Sequence, residues 1–100
     1  MLDVLVIGGG VIGCSIAREL TRYNLDIMLL EKDSDICNGQ SKANTAIVHG
    51  GYDAIPGTLK AKYNVLGNQM MGKVCVELGV PFQNNQSLVV SFSKDGRPKL

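Results

Sequence analysis

Residues 4–13 read VLVIGGGVIG, an apolar run that passes straight into a cluster of glycines. Gly8, Gly10 and Gly13 satisfy the spacing G-x-G-x-x-G. The first glycine of that pattern permits a tight turn, and the second lets a pyrophosphate approach the backbone. The third lets the following helix pack closely on the strand. Glycine clusters also occur in plain turns, so the pattern carries weight only in context. Here the context is present on both sides. Residues 2–7, LDVLVI, have the composition of a parallel strand buried on both faces. Residues 11–22, VIGCSIARELTR, place Val11, Ile12, Ile16 and Leu20 at helical intervals. YNLD then interrupts the period with turn-forming Asn and Asp, and IMLL at 27–30 is a second short apolar strand. Residues 2–31 therefore read as one βαβ unit with a right-handed crossover.

Glu31 follows the second strand and stands 18 residues after Gly13. That is the spacing of a carboxylate that accepts a hydrogen bond from a ribose hydroxyl. The N-terminus of the first helix would meanwhile offer N–H groups and a positive dipole end to phosphates. A carboxylate at Glu31 repels a 2′-phosphate, which disfavours NADP and leaves NAD and FAD. The next segment separates these two. An NAD domain would continue into a further helix and a third parallel strand. Residues 33–57, DSDICNGQSKANTAIVHGGYDAIPG, instead carry Gly, Ser, Asn and Asp with no helical period, and only TAIVH could be extended. A structureless stretch of that length inside a compact domain is usually functional. It supplies backbone to wrap the longer pyrophosphate and ribityl chain of FAD, so FAD is the expected cofactor.

A long helix is predicted over 58–78, where Leu59, Tyr63, Leu66, Met70, Val74 and Leu78 recur at three- and four-residue steps as one apolar face. Thr58 can cap its start, and Gly79 with Pro81 ends it. Gly67 and Gly72 lie inside it and each cost about 1 kcal/mol against alanine; close packing on a neighbour would account for one of them. Residues 81–96 read as two short strands around Asn84-Asn85 followed by a Lys-Asp-Gly turn, and Pro98 stands where another helix could begin. Phe82, Leu88, Val90 and Phe92 give that hairpin an apolar side with no partner sheet within these residues. The expected architecture is thus α/β. The N-terminal part of a Rossmann-like FAD-binding domain (βαβ, long loop, helix) occupies 1–80, and a β-hairpin at 81–100 begins a substrate domain. The chain reads as the N-terminal piece of a longer protein.

The remaining composition mainly excludes. Ten Lys and Arg against nine Asp and Glu leave a net charge of +1 without a run of either sign, so no nucleic-acid partner is expected. No apolar run reaches the roughly 18 residues of a spanning helix. Cys14, Cys37 and Cys75 are scattered, make no CxxC pair, and fit a reducing cytoplasm; no metal site is expected. Cys14 reads as a small buried residue without reactivity.

The segment SKANTAIVHGGYD at 41–53, with VIGGGVIGCSIAREL and LLEK, resembles the FAD-dependent oxidoreductases of the D-amino-acid-oxidase type. Within them it is most similar to glycerol-3-phosphate dehydrogenases and their 2-hydroxyacid relatives. The resemblance implies that Gly8, Gly10, Ile12 and Gly13 hold the pyrophosphate and that Glu31 and Lys32 face the adenosine ribose. Ser41, Asn44 and Thr45 would lie against the pyrophosphate and the flavin-side chain, and His49 near the isoalloxazine ring. Some glycerol-3-phosphate dehydrogenases continue the VHGG motif with Leu-Arg-Tyr, whose basic and phenolic groups help hold the substrate; Tyr52-Asp53 stands here instead.

The residues themselves leave two readings for His49, a hydrogen-bonded core histidine or a general base. Lys42 is either a solvated loop charge or a neighbour of the cofactor phosphates. The expected activity is hydride transfer from a secondary alcohol to flavin N5, with a small molecule as substrate. The alternatives are an enzyme of the same build oxidising a 2-hydroxyacid, an amine or an amino acid, or a non-catalytic FAD-binding fragment. The 100 residues alone are expected to lack turnover, and nothing in the sequence names the electron acceptor.

Overall fold

A computed structural model of the chain describes residues 1–90 and Phe92. It divides into two compact units, Met1–Ala46 and Ile47–Leu100, taken in turn.

The first unit contains β1 (Val4–Ile7), α1 (Val11–Leu20) and β2 (Ile27–Leu30). The strands pair in parallel, Val4 opposite Ile27 and Ile7 opposite Leu30, and α1 packs against both. The ladder extends at each end. The Gly8 N–H donates to the Leu30 carbonyl at 2.8 Å, and the Asp26 N–H donates to the Asp3 carboxylate, also at 2.8 Å. This register has a consequence for the site. It sets Glu31, the first residue beyond β2, beside Gly9 in the turn beyond β1. Gly8 adopts φ +101°, a conformation open to glycine at little cost. The expected strand–turn–helix–strand order is present. The first helix stops at Leu20 rather than residue 22, because Thr21 turns its hydroxyl onto the Arg18 carbonyl and the next N–H groups bond in tight turns.

The second unit is built on α2 (Leu59–Leu78). The Thr58 hydroxyl accepts the Ala61 N–H at 3.2 Å, and Gly79 closes the helix with φ 65° while its N–H bonds back to the Val76 carbonyl. Both ends thus lie where the capping residues indicate. The apolar stripe is not the covered side among the described residues. Leu59, Tyr63 and Met70 are exposed, and the better-covered side runs through Ala61, Asn64, Gly67, Met71 and Cys75. The reason is one of supply: Ala54 and Cys75 are the buried apolar residues of this unit among those described, too few to roof a twenty-residue helix. No regular element forms between Glu31 and Thr58. Residues 81–90 likewise hold no strand, and Gln86 has a positive φ. Residue 91 and residues 93–100, which carry the rest of the expected hairpin and the Pro98 helix start, lie outside the described residues.

Close packing does not account for either helix glycine. A Cβ on Gly67 would meet nothing within 4 Å, and one on Gly72 would make ordinary contact with the Phe82 ring at 3.7 Å. Gly67→Ala is therefore expected to stabilise the 100-residue chain by about 1 kcal/mol through helix propensity alone. A urea titration monitored at the helical circular-dichroism band checks it; a lower midpoint would show that the glycine has a packing role.

Candidate functional site

The site grows out of the turn after β1. Gly10 occupies the N-cap of α1 and has no side chain to satisfy the first helical N–H groups. Ser41 supplies the missing acceptor from thirty residues away: its hydroxyl oxygen accepts the Val11 N–H at 2.8 Å. A Cβ on Gly10 would sit 3.2 Å from that same oxygen, so the glycine leaves the room in which the loop lies over the helix start. Gly13 faces the other way, against the strand, where a Cβ would fall 3.1 Å from the Gly8 carbonyl carbon and closer still to its oxygen.

Glu31 joins the turn to β2. One carboxylate oxygen accepts the Gly9 N–H at 2.6 Å, and the other accepts the N–H groups of Lys32 at 2.7 Å and Asp33 at 3.0 Å. The Asp33 amide first, then those of Gly9 and Lys32 with the Lys32 charge, hold the carboxyl below its ordinary range, against a smaller opposing effect of desolvation. The side chain is thus ionised at neutral pH. Each carboxylate oxygen has two acceptor positions, and the oxygen facing Gly9 keeps one for a further donor such as a hydroxyl.

The loop comes back over this pair. The Cys37 N–H donates to the Gly9 carbonyl at 2.9 Å, and a turn at Gly39–Ala43 brings Ser41 to α1. Asn44 fastens that turn, donating to the Ser41 carbonyl at 2.7 Å and accepting the Ala46 N–H at 2.8 Å. An open groove of about 220 Å³ results, lined by Gly10, Glu31, Lys32, Asp33, Cys37, Asn38, Gly39, Gln40 and Ser41. Its lining sets the small residues Gly10, Gly39 and Ser41 at the helix start together with the ionised carboxylate of Glu31, which suits hydroxyls.

The first unit thereby brings together Gly8, Gly10, Gly13, Glu31, Lys32 and Ser41. Ile12, on the first turn of α1, is exposed. Asn44 and Thr45 follow the turn and are not among the groove's lining residues. His49 belongs to the second unit and is exposed among the described residues. Its backbone is held by α2, since the Asn68 side chain donates to the His49 carbonyl at 2.9 Å. Gly51, at φ +97°, lies so close to Val65 that a Cβ would come within 2.8 Å of the valine methyl. Sequence reasoning passed over Gly9, Cys37 and Asn68. Gly9 is not one of the pattern glycines, and Cys37 and Asn68 act through side-chain and backbone bonds that no local spacing announces.

A family model described as DAO, FAD dependent oxidoreductase, matches residues 3–100. The chain belongs to that family. Its cofactor is FAD. The groove fits such a cofactor, because glycines stand where a Cβ would crowd the helix start and Glu31 presents an acceptor. The glycerol 3-phosphate dehydrogenase of Caloramator mitchellensis is 58% identical over 95 residues, 95% of this chain and 20% of that protein. The glycerol 3-phosphate oxidase of Mycoplasma pneumoniae is 41% identical over 99 residues, 98% of this chain and 26% of that protein. The mitochondrial L-2-hydroxyglutarate dehydrogenase of Dictyostelium discoideum is 36% identical over 95 residues, 93% of this chain and 21% of that protein. The chain thus spans about a fifth to a quarter of the relatives it matches. No solved structure matches it. Among the described residues, no helix is long and apolar enough to cross a membrane.

Proposed function

We propose that this DAO-family chain is the cofactor-binding part of a glycerol-3-phosphate dehydrogenase-like enzyme that oxidises a secondary alcohol. Residues 1–80 serve the FAD and residues 81–100 begin a substrate domain. The observation that carries the reading is the pairing of the Glu31–Gly9 bond with the Ser41–Val11 cap, which sets an ionised carboxylate and the start of α1 along one groove. Bound FAD supplies the hydride acceptor. The backbone of Gly8, Gly10, Ile12 and Gly13 holds the pyrophosphate with Ser41 beside it. Glu31 accepts from the adenosine ribose, with Lys32 next to it. Asn44 and Thr45 border the chain toward the flavin, and His49 takes the hydroxyl proton of the substrate. A small-molecule substrate and a separate electron acceptor complete the reaction, and the chain works in the cytoplasm.

A second reading, oxidation of a 2-hydroxyacid, is favoured by two observations. Relatives named L-2-hydroxyglutarate dehydrogenase match nearly the whole chain. Tyr52-Asp53 also stands after the glycine pair in place of a basic residue. An absorption spectrum of the full-length protein under anaerobic conditions separates the two. Glycerol 3-phosphate is expected to bleach the flavin band, and 2-hydroxyglutarate to leave it. Bleaching by 2-hydroxyglutarate alone would replace the first reading with the second; bleaching only by amines or amino acids would overturn both.

A further inference from the structure

Two thiols converge on one backbone oxygen beneath the glycine turn. Cys14, directly after Gly13 on α1, places its Sγ 3.3 Å from the Gly9 carbonyl oxygen. Cys37, arriving from the loop, places its Sγ 3.5 Å from that same oxygen while its N–H donates to it at 2.9 Å. The two thiols thus share one acceptor, the Gly9 carbonyl oxygen. Both are half-buried, so a small oxidant can reach them. Cys37 also has φ 60°, a left-handed backbone that residues with a Cβ rarely adopt, and the bond to Gly9 holds it there. Cys75 lies in the other unit and is buried.

We propose that Cys14 and Cys37 form a redox modification site, oxidised by a hydroperoxide to an intramolecular disulfide that ties the loop to the start of α1. Cys37 lines the open groove and Cys14 does not, so the peroxide meets Cys37 first. The Cys37 thiolate attacks one peroxide oxygen. The O–O bond breaks, hydroxide leaves and takes up a proton, and Cys37 becomes a sulfenic acid. Cys14 then attacks that sulfur: the S–S bond forms, the S–O bond breaks, and water leaves with the Cys14 proton. Two thiols lose two electrons, and one hydrogen peroxide becomes two waters. The product shortens the loop's tether to the helix and leaves the Cys37 N–H on the Gly9 carbonyl.

The test uses full-length protein with its FAD bound, treated with hydrogen peroxide, alkylated, digested without reductant and mapped by mass spectrometry. The expected product is a peptide joining Cys14 to Cys37, lighter by two hydrogens than its parts and released by dithiothreitol, with Cys75 alkylated. Unfolding the protein in urea before oxidation is expected to remove that preference and draw Cys75 into pairs. Cys14→Ser is expected to leave Cys37 advancing to the sulfinic acid, having lost its resolving thiol. Separate oxidation of Cys14 and Cys37 in the native protein, or pairing with Cys75 at equal yield, would overturn the proposal without bearing on FAD binding.

Discussion

Gly13→Val is expected to abolish FAD retention and to lower stability by about 3 kcal/mol or more, at the upper end of what overpacking costs. A Cβ at this position would lie 3.1 Å from the Gly8 carbonyl carbon, within the contact radius of its oxygen, and 3.4 Å from a Val6 methyl. Two of those atoms are backbone and cannot rotate away. Relief therefore requires α1 to lift off β1, which moves the Val11 N–H from the Ser41 hydroxyl and opens the groove. Val6 is among the few buried residues of those described, so the loss falls on the core as well as on the site. Gly67→Ala serves as the control, because a Cβ there meets nothing within 4 Å, its backbone is not left-handed, and it lies outside the groove. Flavin content after gel filtration and the urea midpoint are the measurements. A yellow Gly13→Val protein with an unshifted midpoint would show that helix and strand are not pressed together as described.

The second large effect is expected at Glu31. Replacing it by glutamine keeps the shape but leaves one end of the side chain as an NH₂ group, which cannot accept the Gly9 N–H or those of Lys32 and Asp33. FAD affinity is expected to fall about tenfold or more, the usual scale for losing a charge-assisted hydrogen bond. A pH signature accompanies it. The folded carboxyl binds its proton less readily than the unfolded one does. Its contribution to stability is therefore fully present above the ordinary glutamate range and is lost as pH falls through the depressed folded value. Wild-type protein is expected to lose stability from about pH 5 downward, and Glu31→Gln to show a flatter curve over that interval. Thermal melts across that range, together with fluorescence of released FAD, measure both effects. Identical curves for the two proteins would show that the three N–H bonds do not hold the carboxylate in solution.

Much of the site was legible because its parts are local. The strand composition, the glycine spacing and the helical period of 11–20 all act within one turn or strand, and so do the caps at Thr58 and Gly79. Propensity and hydrogen-bond chemistry decide such features residue by residue. Glu31 was legible for a related reason: in a βαβ unit the register of two parallel strands fixes which residue beyond β2 stands beside the turn beyond β1. The resemblance of 41–53 to the D-amino-acid-oxidase type drew attention to Ser41, though not to the bond it makes with the Val11 N–H.

Tertiary structure alone decided the contacts that close a long, aperiodic loop on itself. Ser41 caps a helix thirty residues before it, Cys37 adopts a left-handed backbone to reach Gly9, and Asn68 on α2 holds the carbonyl of His49. None of these has a period or a fixed offset, because the loop's path depends on which distant polar groups need partners. The covered side of α2 was hidden for a different reason. Helical spacing tells which residues share a side, but burial depends on the surface supplied opposite, and among the described residues the Leu59–Tyr63–Met70 stripe is exposed. The amino-acid order thus determined the elements and the chemistry of the turn, while the loop's long-range hydrogen bonds decided how the groove was assembled.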